Sequence, residues 1–142
     1  MPRVQLEFPG NPLFTVNFPV RITDINYAGH MGMHVVLGIA HDVRLQYFQS
    51  LGYKNELIVG DHIGIVTADA EVAFKEEVFF EDLLQIELAI DGHNKYGFDI
   101  YYQIKKQKTG KTALLVKTGI VFFDIKERKV APIPESFLEK IT

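Results

Sequence analysis

A chain of 142 residues, 47% of them hydrophobic and 23% charged, has the size and balance of one globular domain with a real core, so the span 1–142 reads as a single domain. A net charge of −3 gives no basic field for a nucleic-acid backbone, and the lack of cysteine excludes disulfides, thiolate nucleophiles and cysteine-type zinc sites. No stretch approaches the ~18 apolar residues of a membrane span and no signal-like run opens the chain, so the expectation is a soluble, cytoplasmic protein without nucleic-acid or membrane partners.

Residues 13–23 alternate. Phe14, Val16, Phe18, Val20 and Ile22 point one way and Thr15, Asn17, Pro19, Arg21 and Thr23 the other, as in a half-buried strand with an edge or bulge at Pro19. The segment Asp24-Ile25-Asn26-Tyr27-Ala28-Gly29-His30-Met31-Gly32-Met33 then breaks the period with turn formers. A helix follows over 33–51. Val36, Ala40, Val43, Tyr47 and Leu51 form its apolar stripe, Arg44, Gln46 and Gln49 lie elsewhere on its surface, and Gly52 marks its C-terminal cap. After a loop at 54–62 come four strand signals. The first runs over 63–74, with Ala68, Ala70, Val72 and Phe74 on one side. The second alternates at Leu84, Ile86, Leu88 and Ile90, and the third at Phe98, Ile100, Tyr102 and Ile104. The fourth, over 112–124, is apolar on both faces. Short turns between the last three make them antiparallel. Residues 129–142 carry two prolines, Pro132 and Pro134, and read as a surface-docked or partly mobile tail. One strand, one long helix and four strands make an α+β domain whose sheet must bury the helix on one face.

The loop and helix start carry the chemistry that the residues suggest. The free amides and positive dipole end of a helix beginning at Met33 can stabilise an oxyanion, and Gly29 and Gly32 let a carbonyl approach that backbone closely. His30 can take up a proton near neutral pH. Asn26 cannot, but it can orient a water or form an Asx turn. Asp24 reads as a loop cap or a partner of Arg21. Asp42 is a carboxylate on the helix that can act in chemistry or pair with Arg44. His34 and His41 read as ordinary helix residues, and no side chains converge as a metal site.

The element order, with this loop ahead of the helix, resembles the hotdog fold, a long antiparallel sheet wrapped around one central helix. The loop resembles that of the 4-hydroxybenzoyl-CoA thioesterase-like superfamily, Asp-x-Asp-x-x-Gly-His-Val-Asn-Asn, at Asp24 to Met33. Ala40-His41-Asp42-Val43-Arg44, Ser50-Leu51-Gly52-Tyr53 and Lys117-Thr118-Gly119-Ile120-Val121-Phe122-Phe123-Asp124 resemble its helix and last long strand. The likeness spans about residues 13–134. It implies hydrolysis of an acyl-CoA or related thioester, coenzyme A entering as part of the substrate with no other cofactor, and a homodimer or homotetramer with its sites where subunits meet. Two departures stand out: the usual catalytic Asp is Asn26, and the Asn-Asn pair is Gly32-Met33. The resemblance therefore leaves Asn26, His30 and Asp42 as the catalytic candidates, Asp42 because some branches place their acid on the helix. Tyr27, Gly29, Met31 and Gly32 are the substrate contacts. Lys95 and Lys117 are candidates for the coenzyme's phosphates, and Tyr47, Phe48 and Phe74 for the acyl pocket.

Two alternatives stay open. The missing carboxylate at 26 fits a non-catalytic acyl-thioester-binding domain. A hotdog enoyl-thioester hydratase or dehydratase resembles Asp-x-Asn-Pro-x-His, for which Asp24 and Asn26 are present, but His30 falls one residue late and Tyr27 replaces the proline.

Overall fold

Six strands form one antiparallel sheet. The computed structural model describes residues 2–142. In chain order the elements are β1 (Phe14–Pro19), a 3-10 turn (Ile22–Asp24), α1 (Met33–Ser50), β2 (Ile63–Phe74), β3 (Leu83–Asp91), β4 (Gly97–Lys106), β5 (Thr112–Asp124), β6 (Lys129–Val130) and α2 (Glu135–Ile141). The strands lie side by side as β1-β3-β4-β5-β2, with β6 on the end of β5. The expected elements are all present, and the fold is α+β with one long helix against one sheet face.

The alternation in β3 and β4 translates directly into burial, and β5, apolar on both faces, is buried over most of its length. Leu84, Ile86 and Leu88 share one core with Ile100, Ile104 and Val116, and the helix residues Val36, Ile39, Ala40, Val43 and Phe48 close it from the other side. Fully burying each such aliphatic side chain stabilises the fold by about 1.5–3 kcal/mol. The helix ends as expected, with Gly52 at φ +100, a left-handed position that favours glycine.

Four expectations are corrected. The first strand stops at Pro19 rather than 23, because proline has no N–H for the ladder. Ile22 moves onto the 3-10 turn and is 64% exposed. Arg44 is not on the surface. It is buried, and it pairs with Glu56 and Thr67 rather than Asp42. In β2 the register slips between Thr67 and Asp69, so Ala68 is an extra residue and not part of one face with Ala70, Val72 and Phe74. The bulge changes the phase, so Thr67 pairs with Ile120 and Ala70 with Thr118, both on the helix side of β5. The tail is not peripheral. Phe137 on α2 is 0% exposed, with its ring 5.3 Å from Phe48 and 5.2 Å from Phe122.

The β2–β3 connection positions the site. To reach β3 from the far edge, residues 75–82 must cross the ends of β5 and β4. The amides of Lys75 and Glu76 both donate to Ala113 O, at 2.8 and 3.1 Å, and Gln107 N donates to Leu83 O at 2.9 Å. On its other side the crossing meets the loop that follows β1. Met31 N donates to Val78 O at 2.7 Å, and Val20 N to Asp82 O at 3.0 Å.

Candidate active site

The loop between β1 and α1 is rigid because its polar groups satisfy one another. Asp24 is 2% exposed. Its Oδ2 accepts from Arg21 N at 2.9 Å and from Arg21 Nε at 3.1 Å, and its Oδ1 accepts from Arg21 Nη2 at 2.9 Å. Burial opposes ionisation of Asp24, but the Arg21 bonds and charge outweigh it and hold the carboxyl below its ordinary value. Asp24 is therefore a structural anchor, as one of its two readings expected. Asn26 forms an Asx turn, its Oδ1 accepting from Ala28 N at 2.9 Å. Gly29 sits at φ +87 and donates to Asn26 O at 3.0 Å, while Asn26 N donates to His30 O at 2.9 Å.

Gly32 caps the helix. Its amide donates to Asp24 O at 3.0 Å, so it is not free for a ligand. The next two amides, of Met33 and His34, head the helix, where no preceding helical carbonyl can reach them. Neither donates to another group among the described residues. They remain available to an oxyanion, with the helix dipole behind them. A Cβ at position 32 would lie 2.6 Å from the His34 ring and 3.4 Å from Asn26 Cβ. Glycine there lets the His34 ring fold back over the loop.

In front of this turn is a cavity of about 460 Å³, within the range of small-molecule pockets. Asn26, His30, Met31 and Met33 form one wall, and Phe74 and Leu114 give apolar surface. The crossing segment 75–78 completes the lining, with Lys75, Glu76 and Glu77 among its residues. His30 Nδ1 lies 3.3 Å from Met31 O. A carbonyl only accepts, so in the neutral ring this contact selects the tautomer with the proton on Nδ1 and the lone pair on Nε2.

The other expected site residues lie elsewhere in this chain. Tyr27 is fully solvent-exposed and does not line the cavity. Asp42 is exposed, accepts a bond from Gln46 Nε2 at 2.9 Å, and lies in a separate depression beside Phe18, Arg21 and Gly38. Lys95 is at the far end of the sheet. Between Gly97, paired with Val121, and Ile104, paired with Leu114, β4 runs seven residues, roughly 23 Å at strand rise. Lys117 is on the outer sheet face, with Asp69 at 3.0 Å, Asp99 at 3.7 Å and Glu71 at 3.8 Å, and so is already neutralised. Tyr47 and Phe48 are core residues, whereas Phe74 lines the cavity. Among the described residues no three histidine or carboxylate groups converge as a metal site.

Sequence reasoning missed Lys75, Glu76 and Glu77. A charged triplet after a strand reads as a solvated turn. Only the crossing of the sheet end brings it to the motif loop.

A second polar cluster supports the helix from behind. Arg44 Nε donates to Glu56 Oε2 at 2.8 Å, Arg44 Nη2 to Glu56 Oε1 at 3.1 Å, and Arg44 Nη1 to Thr67 Oγ1 at 2.9 Å. His41 Nε2 lies 2.6 Å from Glu56 Oε1. Burial opposes ionisation of Glu56, but Arg44 first and His41 second overcome it and hold this carboxyl below its ordinary value.

One helix held against a long antiparallel sheet, with a cavity at the helix N-terminus, defines the hotdog class of α+β proteins. The chain belongs to the thioesterase-like superfamily, whose family model matches residues 20–141. Comparison with curated protein sequences found no significant match. Among solved structures, the chain is similar to a 1,4-dihydroxy-2-naphthoyl-CoA thioesterase from Synechocystis, with TM-score 0.81 and 22% identity over 90% of this chain and 94% of that one. It is also similar to a gentisyl-coenzyme A thioesterase, with TM-score 0.79 and 20% identity over 91% of this chain and 100% of that one. A Staphylococcus aureus protein solved in complex with CoA superimposes with TM-score 0.82 and 20% identity, over 90% of this chain and 80% of that one. At these identities the likeness is one of fold.

Proposed function

We propose that this chain hydrolyses an acyl-CoA or related thioester to free acid and thiol. The observation that carries the reading is the cavity itself. It joins the open N-terminus of α1, the titratable His30 and an apolar wall at Phe74 and Leu114. A thioester carbonyl directed at the Met33 and His34 amides would have its developing oxyanion stabilised, with the acyl group against the apolar wall. Asn26 holds the loop in register, and His30 Nε2 faces the reacting water. Met31 completes the substrate contact, while Gly29 and Gly32 shape the loop backbone behind it. The substrate's own coenzyme A is the only coenzyme in this reading. Two of the similar solved structures bear aryl-CoA names, and one was solved with CoA, which favours a CoA thioester over other thioesters.

β2 is twelve residues long and lies at the sheet edge. Val66 on it, and Met33 and Leu37 on α1, are exposed and apolar. This supports a homodimer, or a pair of dimers, with Asp42, Tyr27 and Lys95 reaching a site only from a second copy. Sedimentation velocity at micromolar concentration tests this, and a strict monomer would count against it.

A non-catalytic acyl-thioester-binding role is the second reading, favoured by Asn26 Oδ1 being engaged with Ala28 N. The hydratase reading loses its acid, because Asp24 is buried and bonded to Arg21. Release of free thiol across short, long and aromatic acyl-CoAs separates the two that remain. Turnover of any one supports hydrolysis. Saturable binding with no thiol release across the panel supports the second.

A further inference from the structure

Hydrolysis by water needs a group to take the water's proton, and position 26 offers only an amide. Asp24 is committed to Arg21, and Asp42 opens onto a different depression. The cavity is nevertheless lined by two acidic residues, Glu76 and Glu77, and they come from the β2–β3 crossing. Bonds from Lys75 N and Glu76 N to Ala113 O fix that segment to β5, and the bond from Met31 N to Val78 O fixes it to the motif loop. Residue 77 is thereby held between them, and it lines the same cavity as His30.

The two carboxylates there are not equivalent. Glu76 Oε1 is 3.6 Å from Lys106 Nζ, which Asp82 Oδ2 shares at 3.6 Å. Glu77 makes no ion pair and no side-chain hydrogen bond among the described residues, and it is open to water. A carboxylate without competing partners, lining the same cavity as an imidazole and the head of the helix, is placed to act on a water molecule.

We infer that Glu77 is the general base of this site, an assignment that rests on the hydrolase reading above. Water occupies the space between Glu77 and His30. As its oxygen bonds to the thioester carbonyl carbon, one proton passes to the Glu77 carboxylate, while His30 Nε2 accepts a hydrogen bond from the other O–H. The carbonyl oxygen becomes the oxyanion at the Met33 and His34 amides. When the C–S bond breaks, Glu77 returns its proton to the departing sulfur. The product acid sheds its remaining proton to solvent, and Glu77 is again a carboxylate.

The test is thiol release from the acyl-CoA that the wild-type protein turns over fastest, measured for Glu77→Gln, Glu76→Gln and Glu77→Ala, the last with and without added formate. Loss of a positioned base predicts a fall in kcat of about 10²- to 10⁴-fold for Glu77→Gln, with KM within about threefold. Glu76→Gln falls less than about tenfold, because Glu76 stands outside the proton path. Formate partly restores Glu77→Ala and leaves the wild type unchanged, a response that a merely structural role would not give. A Glu77→Gln kcat within about threefold of wild type overturns the assignment while leaving the hydrolase reading intact, and so does an equal loss in Glu76→Gln. A wild-type protein that releases no thiol from any acyl-CoA overturns both.

Discussion

Replacing Arg44 by methionine removes the centre of the cluster behind the helix. The Arg44 and Glu56 side chains are 8% and 12% exposed. Arg44→Met keeps the apolar stem but leaves Glu56 charged and nearly buried. Deleting one partner of such a pair costs about 3–5 kcal/mol. His41 remains 2.6 Å from Glu56 Oε1 and compensates in part, so the low end applies, about 3 kcal/mol. For a chain of this size that is a fall in Tm of about 10 °C. The double variant Arg44→Met/Glu56→Met removes both charges and leaves apolar volume in their place. Such replacements are often close to neutral, so it is expected within about 1.5 kcal/mol of wild type. Urea unfolding at neutral pH measures both, provided the m-value is constant. A loss below about 1 kcal/mol for Arg44→Met would refute the reasoning, and so would a double variant as unstable as the sum of the single ones.

Acid sensitivity follows from the same carboxyl. Glu56 and Asp24 are both held below their ordinary values of 4.5 and 3.8. Each therefore contributes stability that is fully present above its unfolded value and is lost as pH falls through its folded one. Urea midpoints measured from neutrality downwards should fall below about pH 4.5, and Glu56→Gln should flatten that slope; an unchanged slope would remove Glu56 from the account. Phe137→Ala empties a fully buried ring site among Phe48, Tyr53, Phe98 and Phe122 and is expected to cost about 3–5 kcal/mol in a thermal melt. A loss under about 1 kcal/mol would mean that α2 is peripheral after all.

The parts of the fold that were legible in the sequence are those where one residue's neighbours are local or periodic. Leu84 to Ile90 and Phe98 to Ile104 alternate because each strand has one solvated face, and that pattern survives into the structure. The β2 bulge escaped because Ala68 fits either face, so the alternation could be read straight through the slip. Arg44 looked like a surface residue because its burial depends on Glu56, in a loop that no helical pattern reaches. Phe137 sits in a helix of seven residues, too short to display a period. The motif loop was legible as a turn because its bonds, Arg21 to Asp24 and Ala28 to Asn26, are between near neighbours. The places of Lys95 and Glu77 were not legible for one reason. Strand order decides which end of the sheet a turn occupies, and β2 lies at the far edge although β3 follows it in the chain.

That strand order also sets the kinetics of the cavity. β3, β4 and β5 are joined by short turns and pair as a local meander. β1 must find β3 across the chain, Phe14 opposite Leu88, and β2 must find β5, Ile63 opposite Asp124. Loop closure makes such pairings late in folding and early in opening. Each of these two edge strands leads directly into one wall of the cavity, β1 into the motif loop and β2 into residues 75–78. The walls thus follow from the two edge strands, while Leu114 belongs to β5, which is paired on both sides. Native-state hydrogen exchange should find the amides of Met31 and Glu76 exchanging well ahead of those in β4. Slow exchange at all of them would mean that the protein opens only as a whole. On this arrangement a ligand could be admitted by local breathing at the two rims, with the meander staying folded.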